Sequence, residues 1–209
     1  MTGVYIILEG VVRTGKTTQS TKLYEYLKKK FPKREVVLTR EPGGTEIAES
    51  IRNTVQAAKF NETMEPIAEA YLFAAARAQS LRKVVWPVLE KNGIVISDRS
   101  FISSLAYQGY AHGLGIKKIL DINKIAIEKY MPNRVLFLDL DPAIGLKRKL
   151  DLDGDKFEHE GIEFFKKIEL GYNKISEMHE FKNIWINVDA TGSEEEVFNR
   201  ILENIKTLF

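Results

Sequence analysis

The segment that most constrains the fold is the run VYIILEGVVRTGKTT at residues 4–18. Its apolar residues 5–8 predict a buried strand, and residues 19–30 carry apolar side chains at helical spacing. Between them, residues 10–17 match the glycine-rich pattern G-x-x-x-x-G-K-[ST] completely. Because the pattern lies between a strand and a helix, which is the context it requires, we expect a nucleoside triphosphate to bind here.

The residue types in this loop explain how it would hold phosphate. Gly10 and Gly15 permit backbone conformations closed to other residues, so successive N–H groups can turn around an anion at the positive end of the following helix. Lys16 would reach the β- and γ-phosphates, and the Thr17 hydroxyl would bind Mg²⁺. The expected triphosphate contacts are Gly10, Val11, Val12, Arg13, Thr14, Gly15, Lys16, Thr17 and Thr18.

The rest of the chain alternates short apolar runs with helical patterns. Residues 35–39, 93–97, 134–140 and 184–188 are nearly continuous apolar segments, as in parallel strands buried on both faces. Helices are predicted over 66–89, 121–130 and 142–152, from residue 155 onward, and at the C-terminus. No repeat or linker interrupts this alternation, so the sequence predicts one α/β domain over residues 1–209.

Charged residues follow two of these strands, where ligands bind in open α/β sheets. Asp98 ends the strand at 93–97 and is placed to hold Mg²⁺, directly or through water. Arg99 beside it suits a bidentate phosphate contact. Arg40 and Glu41 follow the strand at 35–39 and are candidate functional residues, although an exposed turn would explain them as well.

Phe73 and Arg77 lie four residues apart in the predicted helix 66–89, and hence on one face. Such a pair could hold a flat base and an anionic group together. Taken alone, however, a residue such as Phe73 is more often part of the core and one such as Arg77 is more often a surface charge.

Composition excludes several classes of protein. The 209 residues include no cysteine and three widely spaced histidines, which excludes disulfides, thiolate zinc sites and the HExxH pattern. A net charge of +2 predicts no nucleic-acid partner, and the basic run at 28–30 is interpreted as a solvated helix end. Without a signal peptide or a long apolar run, we expect a cytoplasmic protein with no membrane partner.

Several runs are similar to those of thymidylate kinases, the P-loop enzymes that phosphorylate dTMP to dTDP with ATP. They are EGVVRTGKTTQ at 9–19, TREPGGTEIAESIR at 39–52, LFAAARAQ at 72–79, DRSFISSLAYQG at 98–109 and DKFE at 155–158. The resemblance covers nearly the whole chain. It implies a P-loop NTPase fold with a five-stranded parallel sheet flanked by helices, a short lid at about 142–160, Mg²⁺ as cofactor and a homodimer.

The resemblance also implies roles for individual residues. Phe73 would stack on thymine, Arg77 would read the edge of the base, and Arg148 would pack on adenine. The base and sugar pocket would be lined by Ser104, Tyr107 and Gln108. The monophosphate would be held by Arg40, Arg52 and Arg99, and the adenine loop would be Asp189, Ala190 and Thr191.

Thymidylate kinases place the catalytic arginine either in the phosphate loop or in the lid. Here Arg13 lies in the loop, and residues 147–158 contain one arginine, Arg148. We therefore expect Arg13, with Lys16 and Arg99, to stabilise the charge on the transferring phosphoryl group.

The sequence departs from the family pattern at several positions. Val12 stands where the family carries an acidic residue near the sugar, which predicts poor discrimination at the sugar or slow turnover of dTMP. Other departures are Ala76, Ser100, Lys156 and Glu169. A kinase for another deoxynucleoside monophosphate, such as dUMP, and a weakly active nucleotide-binding paralogue are alternatives. A GTP-dependent switch lacks support, because the run NKIA at 123–126 has no final Asp.

Overall fold

The computed structural model describes residues 3–56, 60–148 and 161–209. Its five strands are β1 (Val4–Glu9), β2 (Val36–Arg40), β3 (Ile94–Asp98), β4 (Arg134–Asp139) and β5 (Trp185–Asp189). They form one sheet in the order β2-β3-β1-β4-β5, and every neighbouring pair is parallel. The predicted α/β fold with a five-stranded parallel sheet is confirmed, and the strand bounds shift from the predicted ones by one residue.

Helices connect the strands and cover both faces of the sheet. They are α1 (Lys16–Lys30), α2 (Glu46–Gln56), α3 (Pro66–Ser80), α4 (Trp86–Glu90), α5 (Phe101–Ser104), α6 (Ile116–Ile127), α7 (Pro142–Lys147), α8 (Ile162–Ser176) and α9 (Glu194–Ile205). Wider π-helical turns follow α3 at Leu81–Val85 and α5 at Leu105–Ala111, and a 3₁₀ turn follows α9 at Lys206–Leu208. None of the helices in the described ranges has the length and apolar character to span a bilayer.

The central strand β1 shows why the sheet is covered on both sides. Successive side chains of a strand point to opposite faces. Tyr5 and Ile7 belong to the core beneath α3, α5 and α8, whereas Val4, Ile6 and Leu8 belong to the core beneath α1 and α9. All five are buried. With both faces packed, the carboxyl edge of the strands is the part of the sheet left for a site.

Three predicted helices differ from those observed. The helix predicted over 66–89 is α3 and α4 joined by a π-helical turn, since Pro87 has no N–H to continue regular hydrogen bonding. The helix predicted at 121–130 begins earlier, after Gly115, whose φ is 94°. The helix predicted over 142–152 ends at Lys147, because Arg148 turns to an extended conformation with ψ 104°.

Some predictions fall on residues 149–160, which lie outside the described part of the chain. They are the DKFE run, Lys156, most of the expected lid at 142–160, and the start of a helix at residue 155. Beyond this gap, α8 begins at Ile162. The assignment of residues 1–209 to one domain with a lid stays a prediction.

Candidate active site

The phosphate-binding loop joins β1 to α1, in the order the sequence predicts. Its backbone takes positive φ at Gly10 (149°), Arg13 (58°) and Gly15 (94°). A Cβ on Gly10 would lie 2.8 Å from the Leu138 carbonyl oxygen. Helix α1 starts directly after Gly15, so its free N–H groups and positive dipole end face the loop. The loop therefore has the geometry of an anion site at a helix N-terminus.

Lys16 is buried within this loop. Its Nζ donates to the Val11 carbonyl at 2.5 Å and to Thr14 Oγ1 at 3.2 Å. Burial, with a smaller contribution from the positive charge of Arg99, lowers the pKa of Lys16 to about 7, although Asp98 and Glu9 oppose the shift. Phosphate oxygens bound in the loop would raise this pKa, because they would favour the ammonium form.

The two predicted metal ligands meet at the first turn of α1. Thr17 Oγ1 donates to Asp98 Oδ2 at 2.6 Å, which joins α1 to the end of β3. The described residues contain no cluster of three or more acidic, histidine or cysteine side chains that could hold a metal. A hydroxyl and one carboxylate nevertheless suit Mg²⁺, which prefers oxygen and takes its other ligands from water and phosphate.

A cleft of about 770 Å³ surrounds the loop, and we call it the phosphate cleft. The predicted residues Asp189 and Thr191 do not line it, and instead bond each other, Asp189 Oδ1 accepting from Thr191 Oγ1 at 2.7 Å. The cleft does bring together many other predicted residues. They are Arg13, Thr14, Gly15, Lys16, Thr17, Thr18, Arg40, Arg52, Asp98, Arg99, Arg148 and Ala190.

Two arginines tie the loop to the end of α7. Arg13 Nη1 donates to the carbonyls of Leu146 at 3.3 Å and Arg148 at 3.1 Å, and Arg148 Nη1 donates to the Arg13 carbonyl at 3.2 Å. The helix and the loop also approach closely, since a Cβ on Gly145 would lie 2.8 Å from the Val12 carbonyl oxygen. Helix α7 thus packs directly on the phosphate-binding loop.

A second cavity, the base pocket, adjoins the cleft, and both are lined by Glu41 and Arg99. The base pocket includes the predicted Phe73, Arg77, Ser104, Tyr107 and Gln108. Its other lining residues are Val12, Pro42, Gln56, Ser100 and Ser103. Val12, the main departure from the family pattern, therefore presents an apolar side chain to this pocket.

Arg77 is fixed in the base pocket by buried partners. Its Nε lies 2.5 Å from Glu41 Oε2, its Nη2 donates to Ser104 Oγ at 3.2 Å, and its Nη1 donates to Asn123 Oδ1. Burial raises the pKa of Glu41, while the charge of Arg77 opposes the shift. Because Arg77 is only 3% exposed, the interpretation as a surface charge is wrong. Phe73, also buried, lines the same pocket.

Glu9 is a site residue that sequence analysis missed. It ends β1, is fully buried, and accepts hydrogen bonds from Ser100 Oγ at 2.8 Å, Ser103 Oγ at 2.6 Å and Tyr172 OH at 2.9 Å. Arg99 lies beside this cluster and donates to Ser103 Oγ at 3.1 Å. The sequence feature that could have identified Glu9 is its position, because it is a carboxylate at the end of an otherwise apolar strand. Asn123 and Glu69, two further buried polar residues near the base pocket, carried no comparable signal.

The fold and site together define a class of protein. A parallel sheet with a phosphate-binding loop after its central strand, an aspartate after the neighbouring strand and a second pocket beside the loop characterise P-loop proteins that act on two ligands. The family model for thymidylate kinase matches residues 8–201. The chain belongs to the thymidylate kinase family.

Individual relatives agree with this assignment. The chain is 44% identical to the thymidylate kinase of Finegoldia magna over 204 residues, covering 97% of this chain and 98% of that protein. It is 40% identical to that of Aster yellows witches'-broom phytoplasma over 209 residues, covering 99% and 98%. The crystal structure of thymidylate kinase from Ehrlichia chaffeensis superposes with a TM-score of 0.79 at 28% identity, covering 99% of this chain and all of that one.

Proposed function

We propose that this protein transfers the γ-phosphoryl group of ATP to dTMP, giving dTDP. The observation that carries the proposal is the junction between the base pocket and the phosphate cleft. Arg99 lines both cavities, and its Nη1 donates to the Gly10 carbonyl of the loop at 3.2 Å. A nucleotide whose base lies against Phe73 and Arg77 would therefore extend its phosphate toward the phosphate-binding loop.

The dTMP site combines a closed base pocket with cations at its mouth. Phe73 stacks on thymine and Arg77 donates to the edge of the base. Arg99, with Arg40 and Arg52 on the cleft side, binds the monophosphate. Ser104, Tyr107 and Gln108 complete the base and sugar contacts.

The ATP site lies along the phosphate-binding loop. Residues 10–18 hold the triphosphate through backbone N–H groups and Lys16, and Arg148 packs on adenine from the α7 side. Ala190 lines the cleft next to Gly192 and Ser193. Asp189 and Thr191 support this adenine loop through the hydrogen bond between their side chains.

Catalysis rests on positioning and on charge. The transition state of phosphoryl transfer spreads negative charge over the equatorial oxygens, which Arg13, Lys16 and Arg99 stabilise. Thr17 and Asp98 would hold Mg²⁺, which neutralises charge on the β- and γ-phosphates when bound. Arg13 donates to the carbonyls of Leu146 and Arg148 at the C-terminal end of α7, and phosphate oxygens would replace these acceptors when ATP binds.

We further propose that two copies of the chain associate. Ile67 and Tyr71 lie one turn apart on α3 and are 37% and 60% exposed, and Ile125 on α6 is 80% exposed. Exposed apolar side chains on adjoining helices support an interface between copies. Sedimentation equilibrium tests this, and a purely monomeric mass would contradict it. The cytoplasmic location stays a prediction.

The direct test is an ATP-coupled assay with Mg²⁺ and dTMP, and with dUMP, dCMP and dGMP in separate reactions. We expect dTDP as the main product, and the reaction should stop when EDTA removes the metal. Faster phosphorylation of another monophosphate would favour the alternative kinase, and no product from any of them would leave only nucleotide binding.

Sugar-modified analogues of dTMP test the effect of Val12 in the same assay. Because Val12 replaces an acidic residue, we expect poor discrimination between sugars or slow turnover of dTMP. Strict sugar selectivity together with ordinary turnover would contradict this expectation.

A further inference from the structure

A buried carboxylate outside the base pocket fixes one of the residues that line it. Glu69 lies on α3, is 2% exposed and does not line the pocket. Its Oε1 accepts a hydrogen bond from Gln108 Nε2 at 2.7 Å. A carboxylate oxygen attracts the amide N–H of Gln108 and repels its carbonyl oxygen. Glu69 therefore determines which end of the Gln108 carboxamide is available to the pocket.

The orientation of Gln108 gives the pocket a defined hydrogen-bonding pattern. Glu69 holds one N–H of Nε2 on the side away from the pocket, so we infer that the carbonyl oxygen of Gln108 faces a ligand, where it can only accept. Arg77, on another wall of the same pocket, can only donate. These two side chains thus present an acceptor and a donor of fixed type to the edge of a bound base, whereas the hydroxyls of Ser104 and Tyr107 can either donate or accept.

This pattern complements some pyrimidines and opposes others. Thymine and uracil carry an N–H at ring position 3 beside a carbonyl oxygen at position 4, which match the acceptor of Gln108 and the donor of Arg77. Cytosine has the reverse arrangement, with a bare ring nitrogen beside an amino group. Cytosine would place acceptor against acceptor and donor against donor, and a buried mismatch of this kind is costly.

The burial of Glu69 itself argues for a role beyond packing. A carboxylate is rarely fully buried, because its desolvation costs free energy that a neutral side chain would not incur. Its Oε1 accepts from the neutral amide of Gln108, which lines the pocket, and lies 3.8 Å from His112 Nδ1, whereas the buried Glu41 faces the permanent charge of Arg77.

We propose that Glu69 is a positioning residue that, through Gln108, makes the base pocket select thymine and uracil over cytosine. This inference rests on the proposed function, because it specifies how the dTMP site rejects dCMP. Glu69 contacts no substrate. Its effect on selectivity comes from the orientation that it imposes on the Gln108 carboxamide.

The test compares kcat and KM for dTMP, dUMP and dCMP at saturating MgATP. In Glu69→Gln, position 69 can donate as well as accept, so Gln108 can adopt either orientation. We expect the dTMP to dCMP ratio of kcat/KM to fall roughly tenfold or more, mainly through KM for dTMP. KM for ATP should not change. Glu90→Gln, which alters an exposed ion pair with Lys129, is the matched control and should leave the ratio unchanged.

A double variant that exchanges the side chains at positions 69 and 108 distinguishes an effect on the orientation of residue 108 from an effect on packing. In Glu69→Gln combined with Gln108→Glu, the amide at position 69 donates to the carboxylate at 108, whose second oxygen again offers an acceptor to the pocket. The dTMP to dCMP ratio should recover toward the wild-type value. Gln108→Met provides a second route should Glu69→Gln fold poorly, since it removes the oriented acceptor and should lower the same ratio.

The outcomes distinguish the inference from the proposed function. Wild-type protein that makes no dTDP overturns the proposed function. If the wild type makes dTDP but Glu69→Gln or Gln108→Met loses dTMP and dCMP activity in equal proportion, the inference is wrong. Failure of the exchange variant to regain selectivity would likewise overturn the positioning role.

Discussion

One arginine–glutamate pair lies in the base pocket and another lies beside the phosphate cleft, and the two pairs differ in burial. In the base pocket, Arg77 and Glu41 have side chains 3% and 4% exposed, and 2.5 Å separates Nε from Oε2. Beside the phosphate cleft, Arg40 and Glu49 are 52% and 34% exposed at 2.8 Å. Arg77 is fixed by buried protein partners, whereas Arg40 is in contact with solvent and can exchange its partner.

The same contrast holds for the cations of the phosphate-binding loop. Lys16 and Arg13 donate to backbone carbonyls, which phosphate oxygens can replace as acceptors. Arg77 and Gln108 bond to buried side chains that would remain in place with a base bound. Buried protein partners therefore fix the polar side chains of the base pocket before a ligand binds. The cations of the cleft can instead rearrange around the charge of a bound ligand.

The largest effect is expected at Arg13, the cation of the cleft that we propose acts in catalysis. Arg13→Ala should lower kcat by roughly 10³-fold, because an arginine that stabilises the transferring phosphoryl group acts mainly on the transition state. Steady-state kinetics and ATP binding by calorimetry measure the two effects separately, and ATP affinity should change far less than kcat. Arg148→Ala, which removes the other half of the α7 contact, should mainly raise KM for ATP. Unchanged turnover in Arg13→Ala would end the assignment.

The second largest effect is expected on stability, where the buried and the exposed ion pair should differ. Glu41→Gln should lower the free energy of unfolding by about 2 kcal/mol, because it leaves the buried Arg77 charge with a neutral partner. It should also raise KM for dTMP. The matched Glu49→Gln should cost less than about 1 kcal/mol, since its pair is exposed. Denaturant unfolding measures both, and equal losses would contradict the contrast between the cavities.

Gly145→Ala should have a smaller effect, centred on the cleft. Alanine favours a helix over glycine by about 1 kcal/mol. Its Cβ would nevertheless meet the Val12 carbonyl at 2.8 Å, and backbone overpacking costs about 1–3 kcal/mol. We expect a lower melting temperature and a higher KM for ATP. In Gly171→Ala, on α8, the new Cβ would lie 3.0 Å from Tyr110 Cβ, which lines neither cavity, so the melting temperature should fall while KM for ATP stays unchanged.

The smallest expected effect is the uptake of a proton by Lys16 when ATP binds. Because burial lowers the pKa of Lys16 to about 7, the free protein holds this group largely neutral above pH 7. Bound phosphate favours the ammonium form, so ATP binding should take up a proton and weaken as pH rises above 7. Calorimetry at pH 8 in buffers of different ionisation enthalpy measures the uptake. Lys22→Met, which removes a half-buried lysine of the same helix that pairs with Glu195, should leave it unchanged.

Much of the fold could be predicted from local sequence. The complete phosphate-binding pattern, the apolar strands and the helical spacing gave the order of elements and the residues at the strand ends. The helix that was expected to run to residue 152 ended at Lys147, and a π-helical turn interrupted the helix before Pro87. Both differences depend on backbone hydrogen bonding at a single turn, which side-chain periodicity does not encode.

The sequence by itself determined the anion site, because Gly10, Gly15 and Lys16 act within one short loop whose geometry follows from their residue types. Only the tertiary structure decided the partners of Arg77 and Gln108. Glu41 lies 36 residues from Arg77, and Glu69 lies 39 residues from Gln108. Such contacts arise from the packing of helices and strands distant in sequence, so no local pattern of residues could specify them.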